Sequence, residues 1–166
     1  MELGGHRLIS EKMEKMLVEN IEDLVKPASE VAVVGANNTL DHALLLMTSN
    51  KYSLVPVIDH KSRLKGLISM PLIMEAIIDI EDVQFDKLAE LKVEDVMTTI
   101  FPVETMDFEL EDILRTLIHN AFISIVDDEG VLLGIITRHE LLTGLNRIVH
   151  NFERVYRVEE KEIERV

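Results

Sequence analysis

Residues 55–74, VPVIDHKSRLKGLISMPLIM, align without a gap on residues 123–142, ISIVDDEGVLLGIITRHELL. No other feature of the chain constrains its fold as strongly. In both stretches an apolar run is followed by an acidic turn, an apolar residue, a glycine, two apolar residues, a hydroxyl residue and a helix-like pattern. The chain therefore reads as one unit written twice, and two such units bury their apolar faces against each other.

Each copy predicts a hairpin whose second strand feeds a helix. The first strands are Leu54–Ile58 and Phe122–Val126, rich in branched residues suited to a pleated surface. The turns are Asp59–Lys65 and Asp127–Val131. Gly66 and Gly134 open the second strands, where a missing side chain allows a bulge or the close approach of another backbone or a ligand. Ser69 and Thr137 end them, and a hydroxyl there caps the following helix, whose free N–H groups face whatever lies above the strand.

Around the hairpins, Ile9, Met13, Met16, Leu17 and Ile21 recur at helical spacing and predict a helix over about residues 7–23. A short strand is expected at Val31–Val34, then a GANN turn, with Asn38 or Thr39 capping a helix whose apolar face is Leu40, Ala43, Leu44 and Met47. The helix after the first hairpin is expected from Pro71 to about Ile80. Residues 81–92 form a charged connector. A strand is expected at Ile100–Val103, and Asp107 is expected to cap a helix on Leu110, Ile113, Leu114 and Leu117. The apolar pattern from Leu141 to Tyr156 predicts a last helix reaching the 160s. The resulting organisation is an N-terminal helix (1–24), a first β-α-β-β-α unit (25–80), the connector (81–92), a second unit (93–150) and a helical extension (151–166). This is an α/β (α+β) chain with two small sheets packed together and helices outside.

Composition narrows the function. Forty-seven per cent apolar residues suffice for a core, and a formal net charge of −14 opposes contact with nucleic acid or an anionic membrane. The chain has no cysteine, which excludes disulfides, thiolate zinc sites and a cysteine nucleophile. No apolar window is long enough to span a bilayer, and the N-terminus lacks a signal peptide's apolar core, so a cytoplasmic protein is expected. The six histidines show no metal-ligand spacing, RHELL lacks the second histidine of a zinc-protease motif, and no phosphate-binding glycine loop or nucleophile elbow occurs. A non-enzymatic protein needing no cofactor or metal is expected.

The GLIS and GIIT hairpins, VPV before the first acidic turn, and VEDVMTT opening the second copy resemble a tandem pair of cystathionine-β-synthase (CBS) domains, a Bateman module. The stretches NNTLDHALLLMTSNKYSLVPVID, RLKGLI, FDKL, VEDVM and GIITRHELL further resemble the stand-alone cyclic-di-AMP-binding CBS pairs of Gram-positive bacteria. That resemblance implies an adenine nucleotide in a cleft built from both copies. It places Val31, Ala32, Tyr52, Ser53 and Leu54 on one side and Thr137, Arg138, His139 and Glu140 on the other. Arg138 is the implied phosphate ligand, because its guanidinium fork holds two oxygens. The sequence departs from the narrower pattern at Glu30, which resembles a lysine site, and at His139, which resembles a second arginine. Glu140, a carboxylate able to accept both hydroxyls of a ribose, favours AMP or ATP as the alternative ligand. The mirror-image motif, Ser69-Met70-Pro71-Leu72, has neither acid nor arginine, so one ligand per chain is expected. The remaining expectations are a homodimer formed through the apolar helices and an unidentified protein partner whose binding the nucleotide controls. A ligand-independent assembly module is the other class considered.

Overall fold

The structure, a computed structural model, describes residues 24–79 and 82–155. The helix expected over 7–23, and the part of the last helix expected beyond Val155, lie outside the described residues.

In chain order the elements are β1 (Lys26–Pro27), a 3-10 turn (Ala28–Glu30), β2 (Val34–Gly35), α1 (Leu40–Asn50), β3 (Leu54–Ile58), β4 (Leu64–Ser69) and α2 (Met70–Ile77). Two short helices follow, α3 (Lys87–Glu90) in the connector and α4 (Val93–Val96) where the second unit begins. The second unit continues with β5 (Val103–Glu104), α5 (Leu110–His119), β6 (Phe122–Val126), β7 (Leu132–Thr137) and α6 (Arg138–Val155). Each unit thus runs β-α-β-β-α, giving a three-stranded sheet, β2-β3-β4, and a four-stranded one, β1-β7-β6-β5.

The repeat is visible at the level of single residues. Val57 lies opposite Gly66 and Ile58 opposite Leu64, so Lys65 is the extra residue of a bulge. Ile125 and Gly134, then Val126 and Leu132, repeat the arrangement with Leu133 as the extra residue. Ser62 and Gly130 occupy the same left-handed turn position, with φ of 61° and 79°. The two turns also meet: Leu64 N–H donates to Gly130 O at 2.9 Å and Leu132 N–H to Ser62 O at 3.0 Å, either side of a bridge between Arg63 and Val131. Arg63 and Val131 are equivalent positions of the repeat, so a pseudo-two-fold axis passes between them.

The copies also exchange backbone. β1, at the very start of the first unit, pairs with β7 of the second, Lys26 opposite Ile135 and Pro27 opposite Gly134. Thr98, near the start of the second unit, bonds in both directions with Leu67 of the first at 2.9 and 3.0 Å. The two glycines explain why this is possible. A Cβ on Gly66 would stand 2.6 Å from Thr98 O, and one on Gly134 would collide with Lys26 O.

Three apolar clusters hold the layers together. One, including Leu40, Ala43, Met47, Val55, Val57 and Ile68, lies between the first sheet and its helices. A second, including Leu110, Ile113, Leu117, Ile123, Ile125 and Ile136, does the same for the second sheet. Complete burial of each of the larger side chains contributes about 1.5–3 kcal/mol. The third joins the sheets: Leu67, Phe122 and Ile135, flanked by Val31, Leu54 and Phe101. Leu67 and Ile135 are equivalent positions of the repeat, as are Leu54 and Phe122.

Several boundaries differ from the sequence expectations. The strand expected at Val31–Val34 is Val34–Gly35, because Val31 N–H closes the 3-10 turn on Ala28 O instead of joining a ladder. The strand expected at Ile100–Val103 is Val103–Glu104; Ile100 is 90% exposed and precedes the pairing with β6. α2 starts at Met70, capped by Ser69, whose hydroxyl accepts from Leu72 N–H at 3.3 Å, and ends at Ile77 rather than Ile80. Asn38 does not cap α1, because its side chain accepts from Gly35 N–H at 2.8 Å; Thr39 stands at the cap position with its hydroxyl donating to Asp41. Asp107 does not cap α5. Its carboxylate accepts the Thr105 hydroxyl, which holds its pKa down, and Glu109 occupies the cap position.

The first turn carries a testable charge. Burial alone would raise the Asp59 carboxyl, but the N–H groups of Arg63 and Lys61 and the Arg63 guanidinium, 2.8 Å away, outweigh it and hold it at about 2. An aspartate in the unfolded chain titrates near about 4. The stabilisation is therefore complete above about pH 4 and is lost as pH falls toward 2. Asp59→Asn should flatten the acid side of the stability curve across that window and leave the slope above pH 5 unchanged, read from urea midpoints at stepped pH.

Candidate functional site

The strand exchange and the sheet-to-sheet packing leave a cleft of about 330 Å³ between the copies, at the lower end of the range for small-molecule sites. The first copy and its leading segment contribute Lys26, Glu30, Val31, Ala32, Tyr52, Leu54, Val55 and Pro56. The second contributes Ala121, Phe122, Ile135, Thr137, His139 and Glu140. Seven of the nine residues singled out from the sequence thus line one cleft.

Each wall has a local cause. Tyr52 follows the left-handed Lys51 that ends α1, and its N–H donates to Met47 O at 2.9 Å, so the ring leaves the helix at a fixed place with 42% of the residue exposed. Leu54 and Pro56 share one face of β3, while Val55 and Val57 belong to the core on the other. Across the cleft, Glu140 N–H donates to the Thr137 hydroxyl oxygen at 3.2 Å, and that hydroxyl donates in turn to the Glu140 carboxylate. This reciprocal pairing fixes the start of α6. It also holds a carboxylate at the cleft wall, where it can accept further hydroxyl groups.

Ser53 and Arg138 stand outside the cleft lining. Ser53 is exposed, and its carbonyl accepts Met70 N–H at 3.3 Å at the start of α2. The Arg138 side chain turns to the C-terminal end of α5, where Nε donates to Leu117 O at 2.6 Å and Nη2 to Ile118 O at 3.0 Å. It satisfies carbonyls that a helix end leaves unpaired and places a cation at the negative end of the dipole.

Sequence reasoning missed Lys26, Val55, Pro56, Ala121, Phe122 and Ile135. Ala121 was within reach, since it is the repeat equivalent of Ser53. Lys26 was not, because only the exchange of β1 onto β7 brings it here.

Among the described residues, no group of three or more His, Asp or Glu is placed to hold a metal ion, and no helix is long and apolar enough to cross a membrane.

The CBS domain family model matches residues 21–79 and 93–147. The chain belongs to the CBS domain family. Cyclic di-AMP receptor B of Bacillus subtilis is 33% identical over 147 residues, covering 89% of this chain and all of that protein. Among solved structures, the Listeria monocytogenes CbpB protein in complex with c-di-AMP is 40% identical, covering 79% of this chain and 98% of that one, with a TM-score of 0.74. CbpB from Streptococcus agalactiae is 26% identical, covers 96% of this chain and all of that one, and has a TM-score of 0.85.

Proposed function

We propose that this chain is a non-catalytic adenine-nucleotide sensor that binds cyclic-di-AMP in the cleft between its CBS domains and thereby controls its contact with a protein partner. The observation that carries this reading is that the cleft is walled by both copies, so a ligand bridging them changes how the two units pack. The similar receptor and the CbpB complex support the choice of ligand. Val31 and Ala32 meet the adenine edge, Tyr52 offers a ring for stacking, and Thr137, His139 and Glu140 face the ribose-phosphate. No turnover is expected, because the Thr137 hydroxyl and the Glu140 carboxylate are tied to each other in the cap that starts α6.

The sensor acts as a homodimer in the cytoplasm. Leu45, Met74 and Leu142 are exposed apolar residues on helices of the two units, and a second copy would cover them. A second ligand reading rests on Glu140, whose carboxylate suits the free ribose hydroxyls of AMP or ATP.

Calorimetry with the three nucleotides, on protein sized by light scattering, tests the reading. The expected result is a dimer that binds one cyclic-di-AMP per chain, more tightly than AMP or ATP, with Glu140→Ala changing that affinity by less than about 1 kcal/mol. Tighter AMP or ATP binding that disappears in Glu140→Ala would establish the second reading instead.

A further inference from the structure

We infer that Lys26, not Arg138, is the residue that holds the ligand's phosphate, an assignment that rests on the nucleotide reading above. Lys26 lies directly opposite Ile135 on adjacent antiparallel strands, and such pairs project their side chains to the same face. Ile135 belongs to the cluster between the sheets and lines the cleft, so the Lys26 side chain enters the cleft from that face. Among the described residues no ion pair engages its ammonium group. Arg138, by contrast, has its guanidinium bonded to two carbonyls of α5 and is absent from the lining.

The charge balance of the cleft makes this cation matter. Glu30 and Glu140 put two carboxylates in the lining, which repel an anionic ligand, and Lys26 and His139 are the lining groups able to carry positive charge. A lysine is a compact, rotatable point charge that can follow a phosphate oxygen without a fixed fork geometry. In a partly desolvated cleft the attraction is stronger than at the open surface.

Pseudo-symmetry puts an uncharged residue at the position equivalent to Lys26. Leu67 is the equivalent of Ile135 and pairs with Thr98, so Thr98 stands where Lys26 stands. Its hydroxyl is engaged locally by Ile100, accepting from the N–H at 3.2 Å and donating to the carbonyl at 3.3 Å. The phosphate-bearing ligand is therefore directed to the cleft that contains Lys26.

The test is calorimetry at low and high salt with cyclic-di-AMP and with uncharged adenosine, on the wild type and on Lys26→Gln, Lys26→Arg and Arg138→Gln. Lys26→Gln should bind cyclic-di-AMP roughly tenfold or more weakly, as expected for losing a hydrogen bond to a charged group. It should also show a smaller salt dependence and unchanged adenosine affinity, and Lys26→Arg should restore cyclic-di-AMP binding. Arg138→Gln should lower the thermal midpoint while keeping cyclic-di-AMP affinity within about threefold, well under the loss of a charged contact. Wild-type affinity in Lys26→Gln, with binding lost in a folded Arg138→Gln, would overturn the assignment. A wild type that binds no adenine nucleotide at all would overturn the nucleotide reading, and this inference with it.

Discussion

Gly134→Ala is expected to destabilise the protein by about 3 kcal/mol, the upper end of the range for overpacking, and to weaken nucleotide binding with it. The added methyl would collide with Lys26 O and stand 2.8 Å from Val25 Cγ1. The first of these is backbone, held in register by the pairing of Pro27 with Gly134, so it cannot move without breaking the β1–β7 ladder. Losing that ladder also removes Lys26, Glu30 and Val31 from the cleft wall. The equivalent change, Gly66→Ala, meets Thr98 O at 2.6 Å and Met97 Sδ at 2.8 Å. Methionine is flexible and can retreat, so a smaller loss is expected, about 1–2 kcal/mol. Urea unfolding of both variants, paired with calorimetry, gives the ranking. Equal losses, or a Gly134→Ala protein as stable as wild type, would mean that the strand exchange contributes little.

What was legible in the sequence is what neighbouring residues decide. The hairpins, their bulges, and the caps at Ser69 and Thr137 depend on residues within a few positions of each other, and all appear as read. Seven of the cleft-lining residues were also legible, but through the family resemblance and not through spacing or periodicity. The misses share another cause. Asp107 has the right chemistry for a cap but pairs with Thr105, a competition between two local partners that spacing cannot resolve. Arg138 is a phosphate ligand by resemblance, but folding brings the end of α5 within its reach, twenty residues upstream. Lys26 has no periodic or motif signal at all. Its position follows from a backbone exchange between copies, and the only local mark of that exchange is a glycine on the far strand.

The second large effect is expected at the boundary between the sheets. Phe122→Ala should cost about 3 kcal/mol, near the low end for a buried phenylalanine because its cluster is small and borders an open cleft that allows some relaxation. Phe122 is 7% exposed and packs with Leu67 and Ile135, so its removal weakens the contact between copies and enlarges the cleft. Ile123, the next residue of β6, points the other way, into the core beneath α5 and α6. Ile123→Ala should also lose about 2–5 kcal/mol, the range for isoleucine truncation, but from a layer that the ligand does not touch. The two variants thus separate fold from site by a single step along one strand. Phe122→Ala should lose both unfolding free energy and cyclic-di-AMP affinity. Ile123→Ala, measured at a temperature where it remains folded, should keep the affinity. If both bind equally well, the inter-sheet cluster is only structural and the ligand does not rest on it.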